Sequence, residues 1–258
     1  NITTFVKFLL KKQNKRRLVL AGGTFLNVQI NRLLADLPEV DEIYVHPHTG
    51  DGSTTIGAMI EAVRDLTGRP VRVQMEDVGL GLEYTEQQIE KAIRAENGLS
   101  YSKKEDISRY AAEQIAKAKV IGWFQGREEY GHRSLGHRCI LGDPRFVDVK
   151  TKITKFIKKR DDFIPITPSV LAEHGNDFFE NFEDNPFMTR CYKSSPDKKE
   201  KIPAALHIDG TARVQAVKKS AYKPFRKLLE SFYNITGIPM VLNTSFNLHG
   251  EPIVHEPA

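Results

Sequence analysis

The first hundred residues alternate between short apolar runs and segments whose apolar residues recur at helical spacing. The apolar runs predict buried strands at residues 17–21 and 42–45. The helical spacing predicts helices at residues 2–10, 25–37 and 56–66, and a capping-box-like start at Thr85 predicts a short helix that ends near Arg94. Strands that alternate with helices indicate an α/β fold with a mainly parallel sheet.

The remaining residues follow a less regular α/β pattern, and we place a domain boundary near Ser102. Helices are predicted at residues 104–117, 146–159 and 222–233, and strands at residues 120–124, 204–208, 211–217 and 239–242. The segment Ile164–Val170 contains Pro165 and Pro168, which predicts an extended or edge element. Residues 126–145 and 194–201 are predicted to be loops.

Charge is distributed unevenly between the two segments. Residues 1–102 carry a net charge of −1 and residues 103–258 carry +6, within a total of +5. The basic segment favours an anionic partner, either phosphorylated small molecules or nucleic acid. The sequence shows no membrane-spanning run and no signal peptide, and its two cysteines, Cys139 and Cys191, lack metal-ligand spacing. We therefore expect a reduced cytoplasmic protein with no membrane partner.

Two glycine-containing turns of the first segment could bind phosphate or metal. Gly22 and Gly23 lie between a predicted strand and a predicted helix, where backbone N–H groups can approach a nucleotide, although a structural β-turn has the same pattern. Asp51 lies between glycines after His46 and His48, at the mouth of the predicted sheet. It could bind a metal or a phosphate-bound Mg²⁺, or it could be a solvated turn residue.

The basic segment contains two clusters of cationic residues. Arg and His recur around glycines between Arg127 and Arg138, which favours anion binding because guanidinium groups bind phosphate bidentately. Lys158, Lys159 and Arg160 end a predicted helix. They could bind an anion or simply complement the helix dipole at a solvated end.

Polar residues also collect at two predicted strand ends. His207, Asp209 and Arg213 surround a glycine turn, where they could line a site or pair with one another. Asn243-Thr244-Ser245 ends a buried strand, and such strand ends commonly open into ligand clefts in α/β sheets.

Six strings of the sequence, in matching order and spacing, resemble the O-carbamoyltransferases of nodulation-factor and antibiotic biosynthesis, the NodU/CmcH type that includes the tobramycin-modifying kind. The resemblance covers nearly the whole chain. The six strings are LVLAGGTFLN, GDGSTTIGAM, WFQGREEYGHRSLGHRCILGDPR, TPSVL, IPAALHIDGTARVQAV and TGIPMVLNTSFNLHGEPIV.

This resemblance implies that residues 1–102 are the C-terminal segment of an actin-like (ASKHA) carbamoyl-transfer domain and that residues 103–258 form a YrdC-like α/β domain. In that family the YrdC-like domain makes carbamoyladenylate from carbamoyl phosphate and ATP. The other domain transfers the carbamoyl group to an acceptor hydroxyl with a bound Fe²⁺ or similar divalent metal. The implied cofactors are ATP, Mg²⁺ and that metal. The upstream half of the same polypeptide is an implied partner, and the fragment alone is not expected to complete the transfer.

The resemblance also implies roles for particular residues. Asp51 matches the metal-binding Asp of the family, and Gly22-Gly23 matches its nucleotide turn. Lys158, Arg213 and Ser245 are the predicted catalytic residues, because they fall in motifs that hold carbamoyl phosphate and adenylate. The predicted substrate- and phosphate-binding residues are Arg133, Arg138, Lys159, Arg160, His207, Asp209, Thr211, Asn243 and Thr244.

The chain departs from the family pattern at three places. The family usually has Gly-Pro-Arg-Ala-Leu-Gly at residues 131–136, Phe-Arg-Pro at 163–165 and Arg-Gly-Glu-Pro at 249–252. Here Ile164 replaces a fixed cation of the implied anion site, and His249 replaces a second Arg. A catalytically degenerate paralogue that acts as a scaffold therefore stays open. So does a basic YrdC-like RNA-binding module, although the segment lacks the stripe of cations and exposed aromatics that favours nucleic acid.

Overall fold

A computed structural model describes residues 1–71, 75–161, 164 and 166–257 of the chain. The chain divides into two compact units. The first unit comprises Asn1–Glu76 with Met188–Cys191, and the second comprises Asp77–Phe187 with Tyr192–Ala258. No helix of the described residues combines the length and the apolar character needed to cross a bilayer.

The two compact units divide after Glu76, and the predicted domain boundary near Ser102 stays a prediction. The reason is that residues 78–82 are hydrogen-bonded to the Arg- and His-rich segment of the second unit. Tyr130 N donates to Val78 O over 2.6 Å, and Gly81 N donates to Glu128 O over 2.9 Å. The identities of the two predicted domains stay predictions.

The first unit contains a two-stranded parallel sheet and three helices. Its elements are α1 (Ile2–Gln13), β1 (Arg17–Leu20), a 3₁₀ turn (Gly23–Leu26), α2 (Val28–Ala35), β2 (Glu42–Val45) and α3 (Ser53–Thr67). The predicted strands are confirmed, whereas the helix predicted from residue 25 begins at Val28. Asn27 sets this start because its side chain accepts hydrogen bonds from the N–H groups of Gln29 and Ile30.

The core of the first unit lies between its helices and one sheet face. Residues of β1 and β2 alternate between exposed and more buried positions, as expected for strands with one covered face. The buried apolar side chains of this core are Val6, Leu10, Leu20, Leu34 and Val45.

The second unit is built around a five-stranded mixed sheet with the order β3-β4-β9-β5-β8. In this sheet only β5 and β8 are parallel. The elements of this unit are α4 (Glu86–Ala95), α5 (Ile107–Ala116), β3 (Ile121–Phe124), β4 (Arg138–Gly142), α6 (Val147–Thr151), a π-helical turn (Lys152–Ile157), β5 (Thr167–Leu171), α7 (Gly175–Phe178), β6 (Cys191–Lys193), β7 (Thr211–Arg213), β8 (Gln215–Val217), α8 (Lys223–Thr236) and β9 (Met240–Ser245). Additional 3₁₀ turns occupy Ala172–His174, Pro196–Lys201 and Pro203–Ala205.

Several sequence predictions for this unit are confirmed. The chain is α/β, as predicted. The parallel sheet was predicted for the first segment, where β1 and β2 pair in parallel, and the larger sheet of the second unit is mixed. Thr85 forms the expected capping box with Gln88 at the start of α4. The predicted apolar face of α8 is buried and packs in the main core beside α5. Its members are Phe225, Leu228, Leu229 and Phe232.

Other predictions for this unit are wrong. Residues 126–145 were expected to form a loop, but they contain β4, which is buried along its whole length. Ile164–Val170 was expected to be an extended or edge element. Its extended part is confirmed by β5, but β5 lies between β9 and β8 and is not an edge strand. Pro168 is tolerated there because β8 pairs with β5 only from Ser169 onward. At Pro168 itself, β5 pairs with β9 alone, so no N–H group is needed on the side of β8.

The segment before β7 also differs from its prediction. A strand was expected at residues 204–208, but Pro203 begins a 3₁₀ turn there, and proline cannot donate to a strand ladder. Gly210 N donates to His207 O, which closes a turn directly before β7. The predicted strand 211–217 is split into β7 and β8, and the predicted helix 146–159 is split into α6 and the π-helical turn.

Gly142 is required for close packing on the outer side of β4. A Cβ at this position would lie 2.6 Å from Val149 Cγ1 and 3.2 Å from Ile153 Cδ1. We expect Gly142→Ala to lower the free energy of unfolding by about 1–3 kcal/mol, because overpacking forces neighbouring side chains to move. Urea unfolding measures this change. The control is Gly57→Ala in α3, where a Cβ meets no atom within 4 Å. It should stabilise the protein by about 0.5–1 kcal/mol, and equal losses in both variants would contradict the prediction.

Candidate functional site

One face of the five-stranded sheet carries a row of polar side chains. Thr167 of β5 lies directly opposite Asn243 of β9, and Ser169 lies opposite Gln215 of β8. Ser169 Oγ donates to Gln215 Oε1 over 2.6 Å, and Asn243 Nδ2 donates to Ser169 Oγ over 3.0 Å. Because side chains alternate along a strand, Ser245 shares this face with Asn243. The polar face is therefore continuous across three strands.

The Arg- and His-rich loop is held against this polar face by hydrogen bonds. Asn243 Nδ2 donates to Ser134 O over 2.9 Å, and Gln215 Nε2 donates to Leu135 O over 2.7 Å. The backbone position of Arg133, next to Ser134, is thereby fixed relative to the end of β9.

The buried carboxylate of Glu129 holds the same loop from within. Its Oε1 accepts hydrogen bonds from the N–H groups of Leu135 and His137 over 2.7 and 2.9 Å, and its oxygens also accept from Arg138 N over 3.2 Å. A carboxylate that accepts several backbone N–H groups binds them more strongly than a neutral acceptor does. Glu129 therefore sets the shape of the loop that carries Arg133.

Arg133 presents a guanidinium that is half-buried. Burial lowers the pKa of Arg133 to about 10. Within the part of the chain that the structure describes, no hydrogen bond or ion pair is made by its side chain. A partly desolvated cation without a partner is costly, and an anionic ligand would offset that cost.

Lys158 lies at the end of the polar face and is only 5% exposed. The three N–H bonds of its Nζ are shared among four acceptors, Ser245 O, Ser245 Oγ, Asn247 O and Asn247 Oδ1, at 2.5, 3.0, 3.0 and 2.5 Å. Burial, together with the nearby charge of Arg160, lowers the pKa of Lys158 to about 8. All four acceptors are neutral, so the positive charge of Lys158 is solvated by protein dipoles.

The π-helical turn explains how Lys158 reaches Ser245. Lys158 N donates to Ile153 O, five residues earlier, over 2.9 Å. Such wide turns are rare and occur often at functional sites, because they change the direction in which a side chain leaves a helix.

Arg213 joins the site from β7. Its Nε and one terminal nitrogen donate to Thr167 Oγ1 over 3.0 and 2.6 Å, and Thr167 lies opposite Asn243. The turn before β7 is held by a short chain of hydrogen bonds. Thr211 Oγ1 lies 2.9 Å from His207 Nδ1 and 2.7 Å from Asp209 Oδ1. The contacts and pairings thus link all the predicted catalytic residues, Lys158, Ser245 and Arg213, to one sheet face.

Other predicted residues lie elsewhere. Arg138 is fully buried, its guanidinium stacks 3.6 Å from the centre of the Phe124 ring, and it donates to the carbonyls of Gln125 and Gly126. These contacts occupy the guanidinium, and we leave Arg138 out of the proposed site. Thr244 points to the opposite face from Asn243 because side chains alternate along β9.

The remaining residues of the basic run differ from Lys158. Lys159 is exposed and has a positive φ of 43°. Arg160 is partly buried, which lowers its pKa. Ile164 is partly buried, whereas its neighbours Phe163 and Pro165 lie outside the described residues.

The predicted residues of the first unit do not form a metal centre by themselves. Asp51 is exposed at the start of α3, and the Nδ1 atom of His46 accepts a hydrogen bond from His48 N. Among the described residues, no group of three or more His, Cys, Asp or Glu side chains could hold a metal. Asp51 is thus a single carboxylate with no other metal-ligating groups gathered around it in the described residues. Gly22 has a φ of 100°, which requires glycine, and it precedes a 3₁₀ turn instead of a helix.

Sequence reasoning missed several residues that build the site. Glu129 and Ser134 lie within the string that was singled out for its Arg and His residues. Nothing in that string indicates that the carboxylate of Glu129 is buried. Thr167 and Ser169 are two residues apart in TPSVL. This spacing places two polar side chains on the same face of a strand, and it was the signal by which the sequence could have identified them. Gln215 lies near the end of IPAALHIDGTARVQAV, where it was quoted for the resemblance without a role of its own.

The role of Glu129 can be tested by its effect on stability. We expect Glu129→Ala to lower the free energy of unfolding by about 2 kcal/mol or more, because several buried N–H groups lose their acceptor. Glu129→Gln should cost less, since its amide oxygen can still accept. Urea unfolding of both variants, with Glu128→Ala as the neighbouring control, provides the measurement. Similar losses for Glu128→Ala and Glu129→Ala would argue against this role.

The lowered pKa of Lys158 predicts a pH dependence of stability. The ordinary lysine value is 10.5 and the folded value is about 8, so between these pH values the unfolded chain binds more protons than the folded one. Stability should therefore rise with pH across this window. Lys158→Met should remove part of that rise, whereas Lys152→Met, which changes an exposed lysine, should not. Urea midpoints at several pH values test this, and parallel curves for wild type and Lys158→Met would refute it.

Comparison with known proteins identifies the family to which the chain is similar. The family model described as "Carbamoyltransferase C-terminus" matches residues 112–258, and the one described as "Carbamoyltransferase N-terminus" matches residues 2–60. The nodulation protein NolNO of Sinorhizobium fredii is 36% identical over 94% of this chain and 36% of its own length. The nodulation protein NolO of Bradyrhizobium diazoefficiens is 37% identical over 95% of this chain and 45% of its own length.

A third relative carries an enzymatic name. The 3'-hydroxymethylcephem-O-carbamoyltransferase of Amycolatopsis lactamdurans is 33% identical over 92% of this chain and 44% of its own length. The chain thus spans less than half the length of each of these three relatives. Because the C-terminal family model covers more than half of the chain, and the N-terminal model matches its beginning, the chain belongs to the carbamoyltransferase family.

Proposed function

We propose that the full-length protein is an ATP- and carbamoyl-phosphate-dependent O-carbamoyltransferase. In this proposal the second unit forms carbamoyladenylate in a YrdC-like site on the polar face of its sheet. The first unit belongs to an actin-like domain that transfers the carbamoyl group to an acceptor hydroxyl. The name of the Amycolatopsis relative, which acts on a hydroxymethyl group, supports an acceptor of that chemical class.

The observation that carries the proposal is the presence of two partly or fully buried cations without an anionic partner. Neither Arg133 nor Lys158 makes an ion pair with any residue that the structure describes. Carbamoyl phosphate and ATP are both polyanions, and bound phosphate groups would supply the missing negative charge. Arg213, beside Thr167 on the same face, adds a third cation. Fixed cations of this kind stabilise charge that develops during phosphoryl and adenylyl transfer.

The balanced chemistry requires two displacements. Water first releases phosphate from carbamoyl phosphate and leaves carbamate. A carbamate oxygen then attacks the α-phosphate of ATP, the bond to the bridging oxygen breaks, and pyrophosphate leaves. Both leaving groups are anions, so Arg133, Lys158 and Arg213 would bind and neutralise them. Carbamoyladenylate hydrolyses in water, which makes its transfer between joined domains reasonable.

The partner that we propose for the first unit is the upstream half of the full-length polypeptide. One face of its small sheet exposes Val19, which is 78% accessible, and Tyr44 beside it. The relatives are more than twice as long as this chain, which leaves room for further elements that cover this face. Asp51 would contribute one ligand to a divalent metal in that larger domain.

The proposal is tested by ATP–pyrophosphate exchange that depends on carbamoyl phosphate. In the full-length protein we expect Lys158→Met to lower this exchange by about 100-fold or more, as removal of a charge-stabilising group does. Arg133→Met should act in the same direction. Lys152→Met serves as the matched control and should stay within about twofold of wild type. A folded wild-type protein without exchange, or equal losses at Lys152 and Lys158, would overturn the proposal.

A further inference from the structure

His207 holds one ring nitrogen in a buried position without a protein partner. Its Nε2 atom is shielded from solvent and forms no hydrogen bond with any residue in the described ranges. The other ring nitrogen, Nδ1, contacts Thr211 Oγ1 at 2.9 Å. Buried polar atoms are nearly always hydrogen-bonded, so this nitrogen, in the turn that leads to Arg213, calls for a hydrogen-bond partner.

The neighbouring residues determine which ring nitrogen carries the proton. The Thr211 hydroxyl has one hydrogen, and it lies 2.7 Å from Asp209 Oδ1. An ionised carboxylate can only accept, so the Thr211 hydrogen points to Asp209 and its oxygen must accept from His207. Nδ1 therefore carries the hydrogen, and Nε2 of the neutral ring keeps a free lone pair. Asp209 also accepts from Thr211 N over 3.0 Å, which fixes this arrangement.

The surroundings keep the His207 ring neutral. Burial is the largest cause that lowers the pKa of His207, and the charges of Arg213 and Lys150 lower it further, whereas Asp209 opposes them. An imidazole with a lowered pKa is neutral at physiological pH. Nε2 is then an acceptor beside two cationic side chains that can only donate.

A carbamoyl group is the ligand that needs such an acceptor. Its phosphate and carbonyl oxygens accept hydrogen bonds from cations, but its NH₂ group donates, and neither a guanidinium nor an ammonium group can receive that bond. An acetyl group has the same shape with a methyl group in place of the NH₂, and it has no hydrogen to donate there.

We propose that His207 is a specificity-determining residue that accepts a hydrogen bond from the carbamoyl NH₂ at Nε2 and thereby favours carbamoyl over acetyl substrates. Thr211 and Asp209 act through His207 as positioning residues, because they hold the proton on Nδ1. This inference rests on the proposed function, since it presupposes that a carbamoyl compound binds in the second unit.

The test uses two stable phosphonates that differ only at the group in question. Phosphonoacetamide carries an NH₂ where acetonylphosphonate carries a methyl group. Calorimetry on the full-length protein should show the amide binding about tenfold more tightly, because a site built to hydrogen-bond an N–H group rejects an analogue that lacks it. His207→Leu should abolish this preference while acetonylphosphonate binding stays within about twofold.

Conservative variants separate recognition from loss of structure. His207→Gln offers an oxygen acceptor near the place of Nε2 and should keep part of the preference, whereas His207→Asn is too short to do so. Thr211→Val removes the hydroxyl that fixes the ring tautomer and should weaken the preference, and Thr211→Ser should retain it. Unfolding midpoints of all the variants identify any that fail to fold.

The outcomes distinguish this inference from the proposed function. If wild type catalyses carbamoyl-phosphate-dependent exchange but binds both phosphonates equally, the inference is overturned and the proposed function stands. If His207→Leu weakens both ligands by the same factor, His207 supports the fold and does not select the carbamoyl group. If wild type shows no exchange and binds neither phosphonate, the proposed function fails and the inference fails with it.

Discussion

The register of β9 between β4 and β5 is the constraint on which the candidate site depends. Asn243 and Ser245 share the polar face only in this register, because successive side chains of a strand point to opposite sides. The other face is closed by packing: Gly142, directly opposite Leu242, leaves room for Val149 and Ile153. A slip of one residue would bury Asn243 and Ser245 among these apolar side chains. The apolar contacts on one face therefore fix the polar chemistry on the other.

The same register positions the groups that hold Arg133 and Lys158 where they are partly or fully shielded from solvent. Asn243 links the sheet to the loop of Arg133, and Ser245 supplies acceptors for Lys158. The acceptors around Lys158 are neutral dipoles, so they solvate its positive charge without cancelling it. The Glu129 carboxylate accepts hydrogen bonds from backbone N–H groups, and its charge acts on the enclosed Arg138. The one buried carboxylate of the loop thus shapes the site without neutralising it.

Periodicity in the sequence predicts the elements that have a single buried face, such as α8, β1 and β2. It fails for β4, because Arg138 begins a strand that is buried throughout. That burial depends on the carbonyls of Gln125 and Gly126 and on the Phe124 ring, which only the tertiary fold brings to the guanidinium. Strand propensity also argues against Pro168 in an interior strand. The structure accommodates it because β8 begins to pair with β5 only after Pro168, and the local sequence does not reveal that start.

The candidate site was predictable as a set of motifs but not as a geometry. The resemblance to carbamoyltransferases pointed to Lys158, Arg213 and Ser245, and the structure connects all three through the polar face. Nothing in the sequence distinguishes Arg138, which is enclosed, from Arg133, which has no partner among the residues described. Both residues are arginines, so their charge alone predicts anion binding for each. Their burial and their hydrogen-bonding partners in the structure distinguish the two.

The acceptors of the site constrain its ligand as much as the cations do. Asn243 Oδ1 is buried without a hydrogen-bond partner among the described residues, as is His207 Nε2. The orientation of the Asn243 amide is fixed, because its Nδ2 donates to Ser134 O. A simple anion such as sulfate offers no hydrogen to either atom and would leave both unsatisfied. The intermediate that we propose, carbamoyladenylate, combines negative charge with N–H donors, because it has an NH₂ group on its carbamoyl end and another on its adenine.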